Sequence, residues 1–255
     1  MRLGRLREDW EHLGQTDAYW AVLSDPAKRG GKWDVEAFYE SGRAEIGYVM
    51  SYVEALRPTL PRADVLDFGC GPGRLTFAFG EHFAHAVGVD ISASMIALAD
   101  QRRGMVTNCD FVQNDRDDLS VFADESFDLV YSRIVLQHIP TNLAREYVKE
   151  FVRVLRPGGL ALFQIPDRLL GPVDRVRRGL IHLVRSGRDD AEKVRMFGIA
   201  RVDVESDVAA AGGRVLHVAP DGSVGDGSAS WLYAVVRATD SDVQSPPGLP
   251  VWQTP

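Results

Sequence analysis

A glycine-rich turn and two acids are the residues of this chain whose types and spacing could bind a nucleoside. The apolar segment Val65–Phe68 contains Asp67 and runs directly into Gly69-Cys70-Gly71-Pro72-Gly73. Glycines carry no Cβ and tolerate positive φ, so the N–H groups of such a turn can approach a ligand closely at a helix N-terminus. About 20 residues further on, Val87–Asp90 repeats the pattern of an apolar strand ending in an acid, which could bind both ribose hydroxyls. The sequence therefore predicts a nucleoside site at two strand ends.

The glycine spacing differs from that of a dinucleotide site. The third glycine is Gly73, and position 74 is occupied by Arg74, so the pattern G-x-G-x-x-G is not satisfied. The sequence consequently does not favour phosphate binding at this turn.

The elements that must position these residues follow one another in a regular order. After the second strand, short apolar segments predict further strands at Asp110–Gln113, Phe127–Tyr131 and Leu160–Phe163. Between the last two, apolar residues from Ala144 to Leu155 follow i, i+3, i+4, i+7 spacing and predict a helix that packs on the sheet. The strand ends are expected along one carboxyl edge of a parallel sheet.

Taken in this order, the motifs over residues 40–237 resemble those of the class I S-adenosylmethionine-dependent methyltransferases, with a domain of methyltransferase type 11 or 25. The resemblance implies an α/β fold with a doubly wound, Rossmann-like sheet of seven strands, mostly parallel, with an antiparallel last strand. It also implies an N-terminal helical cap, a helical insertion after strand 5, and S-adenosylmethionine as cofactor.

The resemblance assigns most of the cofactor contacts. The glycine turn would lie against the methionine part, Asp67 would anchor its amino-acid end, and Asp90 would bind the ribose. Asp115 would bind the adenine amino group, although neighbouring acids leave its register open, and Arg43 could pair with the cofactor carboxylate or be an exposed helix residue. The predicted cofactor-binding residues are Arg43, Asp67, Gly69, Cys70, Gly71, Gly73, Asp90, Ile91, Met95, Asn114, Asp115, Arg116 and Ser132.

The implied chemistry is an in-line displacement at a sulfonium methyl group, in which alignment of the reactants supplies much of the catalysis. If the acceptor is a hydroxyl, a histidine can remove its proton near neutral pH. His138 follows the fourth strand by a few residues and is the predicted general base; a structural role, capping the helix that starts near Thr141, is the alternative. The segment after that strand, Ser132–Val135, lacks the Asn-Pro-Pro-Tyr pattern of members that methylate planar amines, which favours oxygen as the methylated atom.

Composition narrows the class of protein. The 255 residues, 45% of them apolar, fit one α/β domain, and a formal charge of −7 argues against binding nucleic acid over the whole surface. Two cysteines predict neither a disulfide framework nor a metal site, while a magnesium ion held by carboxylates would leave no spacing signature and stays open. The charged N-terminus and the lack of a long apolar run predict a cytoplasmic protein without stable membrane insertion.

The chain divides into a cap at 1–60, a cofactor-binding domain at 61–238 and a loose tail at 239–255. Within the domain, an insertion at 166–200 is expected on the acceptor side; residues 166–201 hold nine Lys or Arg against five Asp or Glu. It predicts either a lid that favours an anionic or extended acceptor, or a helix that buries its apolar face on the core.

The predicted function is methylation of a hydroxyl on a small molecule, sugar or glycan. A non-catalytic module of the same fold and an N-methyltransferase are the alternatives, and the oligomeric state stays open.

Overall fold

Seven strands form a single sheet. In the computed structural model, which describes residues 3–167, 196–222, 229–238 and 251–252, they are β1 (Asp64–Phe68), β2 (His85–Asp90), β3 (Cys109–Gln113), β4 (Phe127–Ser132), β5 (Leu155–Pro166), β6 (Gly213–Pro220) and β7 (Ser230–Arg237). Their order is β3-β2-β1-β4-β5-β7-β6. β7 runs antiparallel to both β5 and β6, and the pairings from β3 to β5 are parallel. The predicted fold class is confirmed.

Helices cover both faces of this sheet. They are α1 (Leu3–Val22), α2 (Val35–Leu56), α3 (Arg74–Gly80), α4 (Ala93–Arg103), α5 (Thr141–Val154) and α6 (Arg201–Ala210), with 3₁₀ turns at Pro26–Lys28 and Leu136–His138. Because strand side chains alternate, Leu66 of β1 joins the core beneath α5, whereas Val65 joins the core beneath α2 and α3. Burial on both faces explains why the central strands read as continuous apolar runs.

The fifth strand is longer than the sequence indicated. It begins at Leu155 and continues to Pro166, whereas the apolar pattern marked only Leu160–Phe163. The additional residues pair with strands on either side: Leu155 lies opposite Phe127, and Pro166 lies opposite Ser230. The extension brings Gln164 to the same end of the sheet as the carboxyl end of β4.

The cap contains a helical segment, α1, that the sequence did not resolve and that is kinked at Asp17, where the backbone is not helical. α1 docks on the start of α4, where a Cβ at Gly14 would lie 2.4 Å from Ser94 Oγ. Glu11 of α1 accepts hydrogen bonds from Ser92 Oγ at 2.8 Å and from the Ser94 N–H at 3.1 Å. A carboxylate at the N-terminus of a helix is favoured by the helix dipole. The glycine and the acid together fix α1 across the carboxyl edge of the sheet.

Two predicted regions are only partly described. Most of the predicted insertion, residues 168–195, lies outside the described residues. In the tail, Trp252 is 5% exposed, and its Nε1–H donates to Asp221 Oδ2 at 2.9 Å. Its ring also packs against Tyr48 and Tyr52. The predicted loose tail is therefore docked at Trp252.

Among the described helices, none combines the length and the apolar character needed to cross a membrane.

Candidate functional site

A cavity of about 480 Å³ opens at the carboxyl edge of β1, β2 and β4. One wall is the glycine turn that follows β1. Another part of the lining comes from α1 and the residues just after it, including Leu6, Trp10 and Val22. A volume of this size is typical of a small-molecule or cofactor site.

The glycine turn is held between two elements. Gly71 has φ +53°, and a Cβ there would lie 2.9 Å from Val22 Cγ2 at the end of α1. Gly69 has φ +80°, and its Cβ would lie 2.4 Å from Val135 Cγ2. Larger residues would strain the backbone and displace these walls, so both glycines are needed for the turn to border the cavity.

Asp90 joins the turn to the end of β2. Its Oδ2 accepts from the Gly71 N–H and its Oδ1 from the Ser92 N–H, both at 2.9 Å. Burial raises the pKa of Asp90, and these two N–H groups oppose the rise. Asp90, Ile91, Met95 and Asn114 all line the cavity, as predicted for ribose and adenine contacts.

Asp67 lies at the floor of the cavity. It is 3% exposed and accepts from Thr76 Oγ1 at 2.7 Å. Burial raises its pKa to about 7; Thr76 and Arg74 oppose this rise, whereas Glu45 and Asp90 add to it.

The raised pKa predicts a pH-dependent stability. Asp67 binds its proton near pH 7 in the folded chain and near its usual value of 3.8 when unfolded. Between these values the folded state holds more protons, so the stability due to this group is complete below the lower value and is lost as the pH rises through the higher one. In urea unfolding without cofactor, the loss of stability between pH 5 and pH 8 should be smaller in Asp67→Asn than in the unaltered chain. Parallel pH profiles would contradict the prediction.

A buried charge cluster that the sequence analysis missed borders the same cavity. Glu45 of α2 pairs with Arg74 Nη2 at 2.7 Å and with Arg133 Nη1 at 3.1 Å, and Tyr131 Oη donates to it at 3.1 Å. Burial alone would raise the pKa of Glu45, but the two guanidinium groups outweigh it and the pKa is lowered. A sequence signal did exist: Glu45 occupies the buried face of α2 together with Phe38, a place where an unpaired acid is rare.

Several predicted cofactor residues are not among those lining the cavity. Arg43 is half-exposed and pairs with Glu40 on its own helix. Asp115 is 56% exposed and pairs with Arg7 of α1 at 3.2 Å. The residues that the structure leaves outside the lining are Arg43, Gly73, Asp115, Arg116 and Ser132.

The reason differs between these residues. Gly73 caps α3 and would carry a Cβ 2.8 Å from the Phe111 ring, and Ser132 is buried within the sheet. Arg116 uses its backbone N–H on Asn114 Oδ1 at 3.2 Å, while its side chain reaches Ser120. Of the predicted residues Asn114, Asp115 and Arg116, Asn114 is the one that lines the cavity.

His138 also lines the cavity and lies within the 3₁₀ turn Leu136–His138. Its ring meets Trp10 of α1 edge to face, with centroids 5.4 Å apart. Its Nε2 is 3.1 Å from the Gln137 amide nitrogen. The predicted cofactor side and His138 thus share one cavity, and the role of His138 as a base stays a prediction.

In the described part of the chain, no three His, Cys, Asp or Glu side chains are grouped so that they could hold a metal ion. Cys70 and Cys109 are buried free thiols, and burial raises the pKa of both. A thiol with a raised pKa is a poor nucleophile at neutral pH.

Comparisons with known proteins agree with this geometry. Residues 65–159 match the family model described as a methyltransferase domain. The trans-aconitate 2-methyltransferase of Deinococcus radiodurans is 39% identical over 119 residues, 45% of this chain and 42% of that one. The malonyl-acyl-carrier-protein O-methyltransferase of Enterobacter lignolyticus is 35% identical over 113 residues, 43% of each chain. The chain therefore spans under half the length of either relative.

Among solved structures, a magnesium protoporphyrin IX methyltransferase from Synechocystis with bound SAH superposes with a TM-score of 0.64. The two share 19% identity, and the match covers 92% of this chain and 99% of that one. At this identity the likeness establishes the fold.

Proposed function

We propose that this chain is a class I S-adenosylmethionine-dependent methyltransferase that methylates an oxygen atom of a small-molecule, sugar or glycan acceptor; the methyltransferase-domain match over residues 65–159 and the shared fold support this. The observation that carries the proposal is that the glycine turn and Asp90 line the same cavity as His138 and Trp10. One side suits a nucleoside, and the other leaves an aromatic wall and a histidine for an acceptor.

The residues on the first side fit S-adenosylmethionine. Gly71 leaves room that a Cβ would fill, and Asp90 is a partly buried acid at the strand end where a ribose would lie. Ile91 and Met95 offer apolar surfaces on either side of a flat base. When bound, this cofactor supplies an activated methyl group on a positively charged sulfur.

The amino-acid end of the cofactor carries one positive and one negative group, and the floor of the cavity offers partners for both. Asp67 suits the ammonium, and Arg74 or Arg133 suits the carboxylate, since a guanidinium can bind it through two parallel hydrogen bonds. In this proposal the buried arginines replace Arg43, which pairs with Glu40 instead.

On the acceptor side, His138 orients a hydroxyl and removes its proton. Trp10 and Ile139 supply apolar surface that excludes water and suits the face of a sugar or another flat group. Excluding water matters because alignment of the reactants, rather than an elaborate set of catalytic groups, supplies much of the rate.

The cofactor half is tested by replacing Asp90 with asparagine. Loss of the carboxylate should weaken S-adenosylmethionine binding by roughly 1–3 kcal/mol, the scale for a hydrogen bond to a charged group. We would measure Kd by calorimetric titration with S-adenosylmethionine and S-adenosylhomocysteine, with NAD as the control ligand. Asp100→Asn, on the solvent-exposed side of α4, is the matched control.

Micromolar binding of both adenosyl ligands and none of NAD is the expected result for the unaltered chain. If neither adenosyl ligand binds, the non-catalytic alternative replaces the enzyme. If Asp90→Asn binds as tightly as the unaltered chain, Asp90 is removed from the site.

An acceptor screen then follows the formation of S-adenosylhomocysteine with sugars and phenols first. Relatives named for trans-aconitate and for malonyl-acyl-carrier protein add carboxylic acids to the screen. A phosphoethanolamine N-methyltransferase of Arabidopsis thaliana, 38% identical over 104 residues, adds amines, and turnover on amines alone would overturn the oxygen assignment.

A further inference from the structure

A chain of buried amides reaches His138 from the interior of the sheet. Gln164 of β5 is 0% exposed, and Gln137, beside His138, is 5% exposed. Gln164 contacts the Ile134 N–H at 3.0 Å, Gln137 at 3.3 Å and Ser230 Oγ at 2.5 Å. Gln137 in turn lies 3.1 Å from His138 Nε2. Buried amides cannot rely on water as an alternative partner, so their orientations are fixed by these contacts.

The backbone at one end determines the direction of every hydrogen bond. The Ile134 N–H can only donate, so the atom of Gln164 that faces it is the oxygen. Gln164 therefore presents its NH₂ group to Gln137, which must accept through Oε1. The other end of the Gln137 amide, its NH₂ group, then faces His138 and donates to Nε2.

We propose that Gln164 and Gln137 are positioning residues that hold His138 as a neutral imidazole with its proton on Nδ1 and its lone pair on Nε2. A neutral imidazole has one donor and one acceptor nitrogen, and the partner of one nitrogen sets the state of the other. The geometry of the amide chain assigns the acceptor to Nε2.

The backbone around this chain is itself unusual. Ile134 has φ +63°, in the left-handed region that β-branched residues rarely occupy. Its N–H is directed at Gln164 in this conformation. The Phe197 backbone N–H also donates to the backbone carbonyl of Gln137 at 2.7 Å, and this bond fixes the backbone beside His138. Such strain persists where the surroundings over-determine it, often at functional sites.

The catalytic role of this His138 tautomer rests on the proposed function. Nε2 is the nitrogen that can accept a proton from a hydroxyl acceptor, which would take the place of the Gln137 NH₂ group as the donor to Nε2. The tautomer itself follows from the hydrogen bonds alone and is measured without any acceptor.

The test is ¹⁵N NMR of the histidine rings in the full labelled chain at pH 8, where free histidine is neutral. Protonated and unprotonated ring nitrogens have well-separated shifts, and the signals lost in His138→Gln identify His138. We expect a protonated Nδ1 and an unprotonated Nε2. A protonated Nε2 in the unaltered chain would overturn the proposal.

Two variants make the test specific. Gln137→Glu replaces the NH₂ donor with a carboxylate, so Nε2 of His138 should become protonated, while the exposed control Gln101→Glu should leave the signals unchanged. Gln164→Leu removes the amide that orients Gln137, and the fixed tautomer should give way to a mixture. An unchanged Nε2 signal in Gln137→Glu would reject the amide chain as the cause.

The outcomes separate this proposal from the proposed function. Absence of cofactor binding or turnover, together with the expected tautomer, counts against the function alone. If turnover depends on His138 but its ring proton is found on Nε2, only the positioning role of Gln164 and Gln137 is rejected.

Discussion

Replacing His138 with glutamine should lower kcat by about 10²–10⁴-fold, the usual contribution of a positioned general base. Glutamine keeps polar atoms of similar size at the wall but cannot take up a proton. Cofactor affinity should remain nearly unchanged, because His138 is not among the residues proposed to bind the cofactor. The measurement is the steady-state rate with the acceptor found in the screen, together with a calorimetric Kd for the cofactor.

A second histidine provides the control for this substitution. His82 lies near the end of α3 and is not among the cavity-lining residues, so His82→Gln should retain full turnover. Full activity of His138→Gln would reduce His138 to the structural role that the sequence left open. An equal loss of activity and of cofactor binding would indicate that the cavity itself had changed.

Replacing Glu45 with alanine should destabilise the fold by about 3–5 kcal/mol, since removing one partner of a buried ion pair leaves uncompensated charge behind. Here Arg74 and Arg133 would lose the carboxylate they share, and the cost falls mainly on Arg74 because Arg133 keeps Asp221 Oδ2 at 3.5 Å. The free energy of unfolding is measured by urea denaturation of the two chains at one pH. Because total stabilities are commonly 5–15 kcal/mol, the variant should unfold at a much lower urea concentration.

The matched control is Glu40→Ala on the same helix. Glu40 is 66% exposed and pairs with Arg43, and exposed pairs contribute between about 0 and 1 kcal/mol. If Glu45→Ala lowers the free energy of unfolding by less than about 1 kcal/mol, as the control does, the prediction is wrong. Water would then reach Arg74 and Arg133 and replace the lost carboxylate. Because Arg74 and Arg133 line the cavity, the variant that still folds should also bind the cofactor less tightly.

The sequence predicted the sheet well because its signals are local. An apolar run that ends in an acid or a glycine marks a buried parallel strand, and β1 and β2 each follow that pattern. The positions of Asp67, Gly71 and Asp90 at the cavity follow from the same signal, since carboxyl ends of parallel strands meet at one edge.

The sequence did not show which partner each charged residue would take or where the N-terminal helix would dock. Arg43 and Asp115 have residue types suited to the cofactor, but each pairs with a nearby charge away from the cavity. α1 was not recognised as a helix because its charged residues interrupt the apolar pattern, although Glu11 and Gly14 dock it on α4.

By itself the sequence determined where the central strands lie along the chain, the glycine turn and the acids at the strand ends, because each depends on residues that are neighbours along the chain. Only the tertiary structure decided that Glu45 gathers Arg74 and Arg133 at the cavity, and that Gln164 and Gln137 direct a lone pair of His138. The physical reason is that buried polar groups must find partners wherever the fold brings them, and those partners are separated by tens of residues in the sequence.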